Sequence, residues 1–336
     1  MKNGLLRKID IKAFVTRNAI FMALLGLVLV IAAVEPRFVS LRVFRDILTQ
    51  SSTKIIMAMG VAAILITGGV DLSSGRIVGF SAVITASMLQ TAEYSRRFFP
   101  DLVQLPVILP ILLAILLGTA VGFMNGMVVA KFHVPPFIAT LGAMVIVWGI
   151  NSIYFDLPPN NSQPIGGLRP EFTRLGSGYL MGIPIIILIA LAVTAVTWIM
   201  FNKTRLGKNM YAIGGNKEAA VVSGINVDRN LVIIYCIGGA LYALAGFLEA
   251  ARTGGATNNY GTMYELDAIA ICVVGGVSTS GGIGTVGGVL AGGLIFGVIN
   301  YGLTFIGVNP YWQQIIKGLI IIAAVSFDIR KYIAKK

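Results

Sequence analysis

From Ile183 to Phe201 the chain carries no charged side chain, and the stretch from Asn18 to Val34 is equally free of charge. Apolar runs of roughly 18 residues span the hydrocarbon of a bilayer. A globular core cannot absorb many of them: 56% of the 336 residues are hydrophobic, 12% are charged, and the mean hydropathy is +0.85. An ordinary soluble domain has about 25% charged residues. Lipid is therefore the solvent for which this chain is built. In lipid every backbone group must be bonded within the structure, which leaves helix bundles and closed barrels. Barrel strands alternate apolar and polar residues, and these runs do not. The fold class that follows is all-α: a polytopic bundle forming one transmembrane domain over residues 1–336.

Apolar patterning places ten helices at about 18–34, 46–67, 76–92, 106–130, 136–156, 180–201, 231–252, 266–278, 284–305 and 311–328. Proline and polar clusters separate them: Glu35-Pro36-Arg37, Pro100-Asp101, Pro135-Pro136, Pro158-Pro159-Asn160-Asn161 and Asn309-Pro310. The first segment follows Lys2, Arg7, Lys8, Lys12 and Arg17, as a signal peptide would. Its apolar stretch is longer than a signal h-region and its exit, Ala32-Ala33-Val34-Glu35, is a poor cleavage site, so an uncleaved first helix is expected. Cys236 and Cys272 fall inside apolar segments and read as small buried hydrophobes rather than a disulfide or metal pair.

With the N-terminus in the cytoplasm, ten crossings put sixteen Lys and Arg residues on the cytoplasmic side, Arg76 and Lys131 among them, and eight on the outer side. That bias satisfies the positive-inside rule and predicts cytoplasmic N- and C-termini. The net charge of +12 then reflects contact with membrane lipid, whose anionic headgroups hold such cations. No basic stripe interleaved with aromatics appears, so nucleic acid is not an expected partner. The largest basic loop is 202–230, cytoplasmic; the longest outer loop is 156–180.

An internal repeat is expected as well. Gly118, Gly122, Asn125 and Pro135 recur at identical spacing as Gly293, Gly297, Asn300 and Pro310. Five crossings separate the copies, so the pattern runs through the bilayer in opposite directions, as in inverted-topology repeats of transport proteins. Gly284, Gly288 and Gly292 share one helix face at small-xxx-small spacing and predict close packing there.

Within the basic loop, Gly214 and Gly215 predict a turn. Asn216 is placed to cap a helix, Glu218 to sit at its positive end, and Gly224 to stop it. The expected element is a short exposed helix with small residues Ala219 and Ala220, able to seat in a groove of another protein. The string Glu218-Ala219-Ala220 followed by Gly224 resembles the E-A-A-x-x-x-G loop by which ABC importer permeases dock on their ATPase subunits. The segments Gly69-Val70-Asp71-Leu72-Ser73, Leu266-Asp267-Ala268-Ile269-Ala270, Val274-Gly275-Gly276-Val277 and Asn300-Tyr301-Gly302-Leu303 are similar to the monosaccharide branch of that family. Leu48-Thr49-Gln50-Ser51-Ser52, Ala256-Thr257-Asn258-Asn259 and Gly307-Val308-Asn309-Pro310-Tyr311-Trp312-Gln313 look most like its galactose and methyl-galactoside members. The likeness covers essentially the whole chain. It implies a permease subunit working as a homodimer, with an ABC ATPase subunit on the cytoplasmic face, an extracytoplasmic sugar-binding protein, and residence in the bacterial inner membrane. Gly215, Asn216, Glu218, Ala219, Ala220 and Gly224 are the expected coupling residues.

No G-x-x-x-x-G-K-[ST] phosphate cradle occurs in the chain, so ATP and Mg would be bound by the partner and no cofactor by this subunit. No catalytic cluster of nucleophile, base and orienting group can be assembled either, and no metal site is expected. A sugar path calls for neutral polar groups and aromatic faces. Gln50, Ser51, Asn125, Trp148, Asn151, Asn258, Asn259 and Asn300 are the candidates, each of which would serve equally as interhelical glue. Lys54, Lys317, Asp71, Glu249 and Asp267 lie at membrane depth, where ionisable groups mark pathways or pairs. The lysines are expected to snorkel outward, and Asp71 to pair with the nearby Arg76. Two other classes stay open on the residues alone: an ion-coupled secondary sugar transporter working without an ATPase, and a purely structural scaffold.

Overall fold

The computed structural model describes residues 19–333, and within them the chain forms thirteen α-helices. They are α1 Ala19–Val34, α2 Leu41–Ile66, α3 Ser74–Met88, α4 Ile108–Lys131, α5 Pro136–Phe155, α6 Pro170–Ser177, α7 Ile185–Lys203, α8 Arg205–Gly215, α9 Lys217–Val222, α10 Val227–Thr253, α11 Tyr264–Val274, α12 Val286–Phe305 and α13 Pro310–Ile333. Each of the ten expected segments has its helix. Six helices, α2, α4, α5, α7, α10 and α12, are long and apolar enough to cross a membrane. The residues before 19, with their five cations, lie outside the described region.

The boundaries have local causes. Ser40, Thr204, Asn226 and Thr285 each accept a backbone N–H in the first turn of the helix they precede, satisfying a donor that has no intrahelical partner. Gly254 closes α10 in the left-handed conformation at φ 74°. Helix α7 starts later than expected, because Tyr179–Leu180 (β1) and Ile183–Pro184 (β2) pair as a small antiparallel hairpin turned at Gly182. The loop 156–180 is not bare either, since α6 sits in it and packs on α10. In the basic loop, Gly214 and Gly215 do not make the expected turn: they are the last residues of α8.

Two helices form the centre. In α2, 78% of the most apolar window is buried inside the protein, and in α10 61%, against 22% in α5 and α7. Helix α10 packs on α2, α3, α4 and α6. Lipid gives helices no hydrophobic reason to associate, so close backbone approach has to supply the contact. Gly118 and Gly122 of α4 supply it against α10: a Cβ on Gly122 would overlap the Tyr235 carbonyl, and one on Gly239 would overlap that of Gly118. The equivalent glycines of α12 meet α2, with Gly293 against Ile55 and Gly297 against Ser51. Gly288 and Gly292 press on Gly275 and Ile271, so the expected small-residue face of α12 is the α11 contact.

One end of the bundle gathers the C-terminus of α2, the α8–α9 pair and the glycine-rich 275–285 link. Gly282 donates its N–H to the Ile66 carbonyl at 2.8 Å, and the Tyr211 hydroxyl donates to the Gly284 carbonyl at 2.8 Å. At the other end, isolated bridges join Gln90 to Leu168 and Ile165 to Ala256, so the 156–180 segment covers α3 and α10.

Candidate functional site

Three polar clusters stand inside this apolar frame. The first is a charged layer joining α2, α10, α11 and α13. Lys54 of α2 and Lys317 of α13 both converge on Asp267 of α11, the second at 3.3 Å. Neither lysine is a free snorkelling end: the shared carboxylate draws both inward, because an unpaired charge at that depth is costly. One turn away, Glu249 of α10 accepts from Arg252 at 2.7 Å, from the Thr53 hydroxyl at 2.9 Å and from the Tyr264 hydroxyl at 3.3 Å. A cavity of about 150 Å³ opens beside this layer. Gln50 and Ser51 of α2 and Asn300 of α12 line it, with Glu249, Arg252, Tyr264 and Phe296.

The second cluster surrounds Asp71, in the turn between α2 and α3. Its Oδ1 accepts from the Ser73 amide at 2.9 Å and the Ser73 hydroxyl at 2.6 Å, and Asn125 of α4 donates to that same hydroxyl at 2.9 Å. Arg76 is not its partner. It lies in the first turn of α3, donates to Thr262 at 3.0 Å and stands 5.8 Å from the Trp148 ring centre. Its place is therefore on α3 beside the 254–263 segment, and not in a connecting loop.

The third is a looser patch. The Asn151 amide reaches the Asn258 carbonyl at 3.5 Å, and the Asn258 amide reaches the Ser152 hydroxyl at 3.4 Å. Trp148 is half-exposed beside it, and Asn259 points to the surface with its carbonyl accepting from Thr262. The structure thus brings Gln50, Ser51 and Asn300 together, groups Trp148 with Asn151 and Asn258, and puts Asn125 in the Asp71 network apart from both. Sequence reading did not join Lys54, Asp267 and Lys317, which are 213 and 50 positions apart. Nor did it place Glu249 and Arg252 on the cavity wall.

At the opposite end, Asn216 accepts from the Ala219 amide at 2.9 Å, Glu218 sits in the first turn of α9, and Gly224 follows at φ 80°. Ala220 is buried against Ala130, Ile213, Val227 and Leu231. Lys217, Glu218, Ala219 and Val221 face outward, and Val222 is 88% exposed. The helix is seated by one small residue and presents the others. Cys236 and Cys272 are both free, the latter buried and donating to the Ala58 carbonyl.

Apolar crossing helices around buried ion pairs, with a polar cavity between the two central ones, define a polytopic membrane transport protein. The comparisons with known proteins narrow this. The chain belongs to the family described as branched-chain amino acid transport system / permease component, whose sequence profile matches residues 43–325. It is 54% identical to the galactose/methyl galactoside import permease protein MglC of Haemophilus influenzae, over 95% of this chain and 96% of that protein. It is 50% identical to MglC of Escherichia coli K12, over 98% and 99%. Identity to the ribose import permease protein RbsC of Bacillus subtilis is 36%, over 93% and 92%. No solved structure matches. The resemblance to monosaccharide permeases is thereby borne out, and the chain is a transport subunit.

Proposed function

We propose that this chain is the membrane permease subunit of an ATP-driven importer that carries galactose, methyl galactoside or a related monosaccharide into the cell. The gap in identity carries the substrate assignment: galactoside permeases are closer to this chain than ribose permeases along nearly its whole length. ATP and Mg would be bound by a separate ABC ATPase subunit. The exposed α9, capped by Asn216 and ended at Gly224, is shaped to dock that partner through Gly215, Glu218 and Ala219, with Ala220 holding it to the bundle. We further read the whole chain as one domain, paired with a second copy and fed by an extracytoplasmic sugar-binding protein.

In this reading ten helices cross the inner membrane with both termini in the cytoplasm. An inverted repeat relates α2–α5 to α10–α13. Support comes from matching element order: a long central helix of 26 or 27 residues, a short helix, a glycine-faced helix with Asn125 or Asn300 in its second half, and a helix opened by proline. The glycine faces exchange partners, α4 on α10 and α12 on α2.

Reconstitution tests it. Proteoliposomes holding the chain and its co-purified ATPase should take up methyl galactoside only with ATP and the binding protein. Uptake by the chain alone down an ion gradient would sink the importer reading and establish the secondary-transporter one, for which the buried Lys54–Asp267–Lys317 pairs are the favouring feature.

A further inference from the structure

Arg76 differs from the cations of the charged layer. Lys54, Lys317 and Arg252 each hold a carboxylate. Arg76 has the Thr262 hydroxyl as its hydrogen-bond partner and the Trp148 ring beside it, and no carboxylate within ion-pair distance among the described residues. A guanidinium carries five N–H groups, so most of its donors are left over. Its height in the bundle makes this notable. Arg76 lies thirteen residues before Leu89, whose carbonyl accepts from Arg169 at the 156–180 end, which is about 20 Å along α3. Trp148 lies twelve residues after Pro136, about 18 Å along α5 from the opposite end, where Lys131 pairs with Asp228 at the foot of α10. The hydrocarbon layer is about 30 Å thick, so the Arg76–Trp148 contact sits near its middle.

At that depth a charged side chain faces the bundle interior or a water-filled space, because hydrocarbon is too costly. Non-helical backbone obeys the same restriction. Residues 254–263 are non-helical and descend from the Ile165–Ala256 bridge to Gly261, whose carbonyl lies against Gly75 in the first turn of α3. Asn259, Thr262 and Met263 on this segment are exposed, and Trp148 is 47% exposed. Two constraints thus fall on one face. The chain itself leaves it uncovered, and neither its cation nor its backbone tolerates lipid.

We propose that this face, formed by α3, α5 and residues 254–263, is a wall of the water-filled sugar path, with the remaining N–H groups of Arg76 donating to sugar hydroxyls. A fixed positive charge repels protons and sodium, whereas hydroxyls accept from it, and the exposed indole with Asn259 and Thr262 supplies the apolar face and neutral polar groups a sugar needs. The proposal rests on the sugar-importer reading above and adds where the path runs.

The test places single cysteines in the full chain in lipid nanodiscs, with Cys236 replaced by Ala and Cys272 left in place because it is buried. Met263→Cys probes the wall, and Val196→Cys, exposed and about halfway along the apolar α7, probes a surface without polar neighbours in sequence. Sulfonatoethyl methanethiosulfonate attacks the thiolate, which forms in water and not in hydrocarbon. Met263→Cys should react at least tenfold faster than Val196→Cys. Equal rates, or no reaction at Met263→Cys, overturn the wall; the latter is also the result if a second copy covers this face. In the complete transporter, the bulky sulfonate adduct at Met263→Cys should stop methyl galactoside uptake while the small adduct left by methyl methanethiosulfonate does not, and uptake insensitive to both overturns the path. Arg76→Ala should lower the maximal uptake rate per transporter about tenfold with the thermal midpoint unchanged, and wild-type uptake in that variant overturns the role of Arg76. If the wild-type transporter carries no methyl galactoside, the importer reading fails, and the two thiol rates alone still decide whether the face is wet.

Discussion

Asp267 is the residue on which the charged layer depends. It is buried, and it is the carboxylate that both Lys54 and Lys317 reach. Removing one member of a buried pair strands the other charge, at a cost on the order of 3 kcal/mol. Asp267→Ala strands two cations, whereas Lys317→Met leaves Lys54 still paired. The first should therefore lower the midpoint of thermal aggregation in detergent much further than the second, and equal effects would refute the shared-anchor reading. At the other end, Glu218→Lys inverts the charge at the positive end of α9, and Gly224→Val forces a side chain into the left-handed conformation at φ 80°. Both should abolish methyl galactoside uptake while the protein still reaches the membrane at wild-type level. Unimpaired uptake in both would remove the coupling role from α9.

Among the elements, the crossing of α4 and α10 is the most sensitive to bulk. Gly122 and Gly239 each face backbone on the opposite helix, with no flexible side chain to move aside. Gly122→Leu and Gly239→Leu should shift the chain from a monodisperse peak to aggregate on size exclusion. Gly142→Ala and Gly149→Ala on α5 meet nothing nearby and should leave the profile unchanged. The positions of these helices were legible in the sequence, because apolar runs and Pro–Gly breaks report directly on burial in lipid. The glycine spacing on α12 foretold a close contact, although not that α11 and α2 make it. What sequence could not convey is partner choice across long separations. Arg76 looked like a loop cation near Asp71 because five positions separate them, yet α3 begins between the two and turns Arg76 toward Thr262. Ala219 and Ala220 looked equivalent; a helix of six residues shows no periodicity from which to tell that Ala220 is the one facing Leu231.

For the whole molecule, the importer reading predicts an assembly. Affinity purification of the chain from mild detergent should bring down one ABC ATPase, and Glu218→Lys should lose it while the chain's own folding is retained. Single cysteines at Ala219 and Asn161 should label from opposite sides of the membrane in intact cells, the first only after permeabilisation. Labelling of both from outside would overturn the orientation. The seating of Ala220 has a mechanical consequence. Val227 and Leu231, against which it rests, are the root of α10, and that same helix carries Glu249 and Arg252 near its far tip. At 1.5 Å per residue α10 is a stiff rod about 40 Å long, so a tilt of about 5° at its foot swings the tip by about 3.5 Å. A nudge delivered by a neighbour at the base would thus arrive at the Glu249–Arg252 end magnified, with no relay of side chains in between.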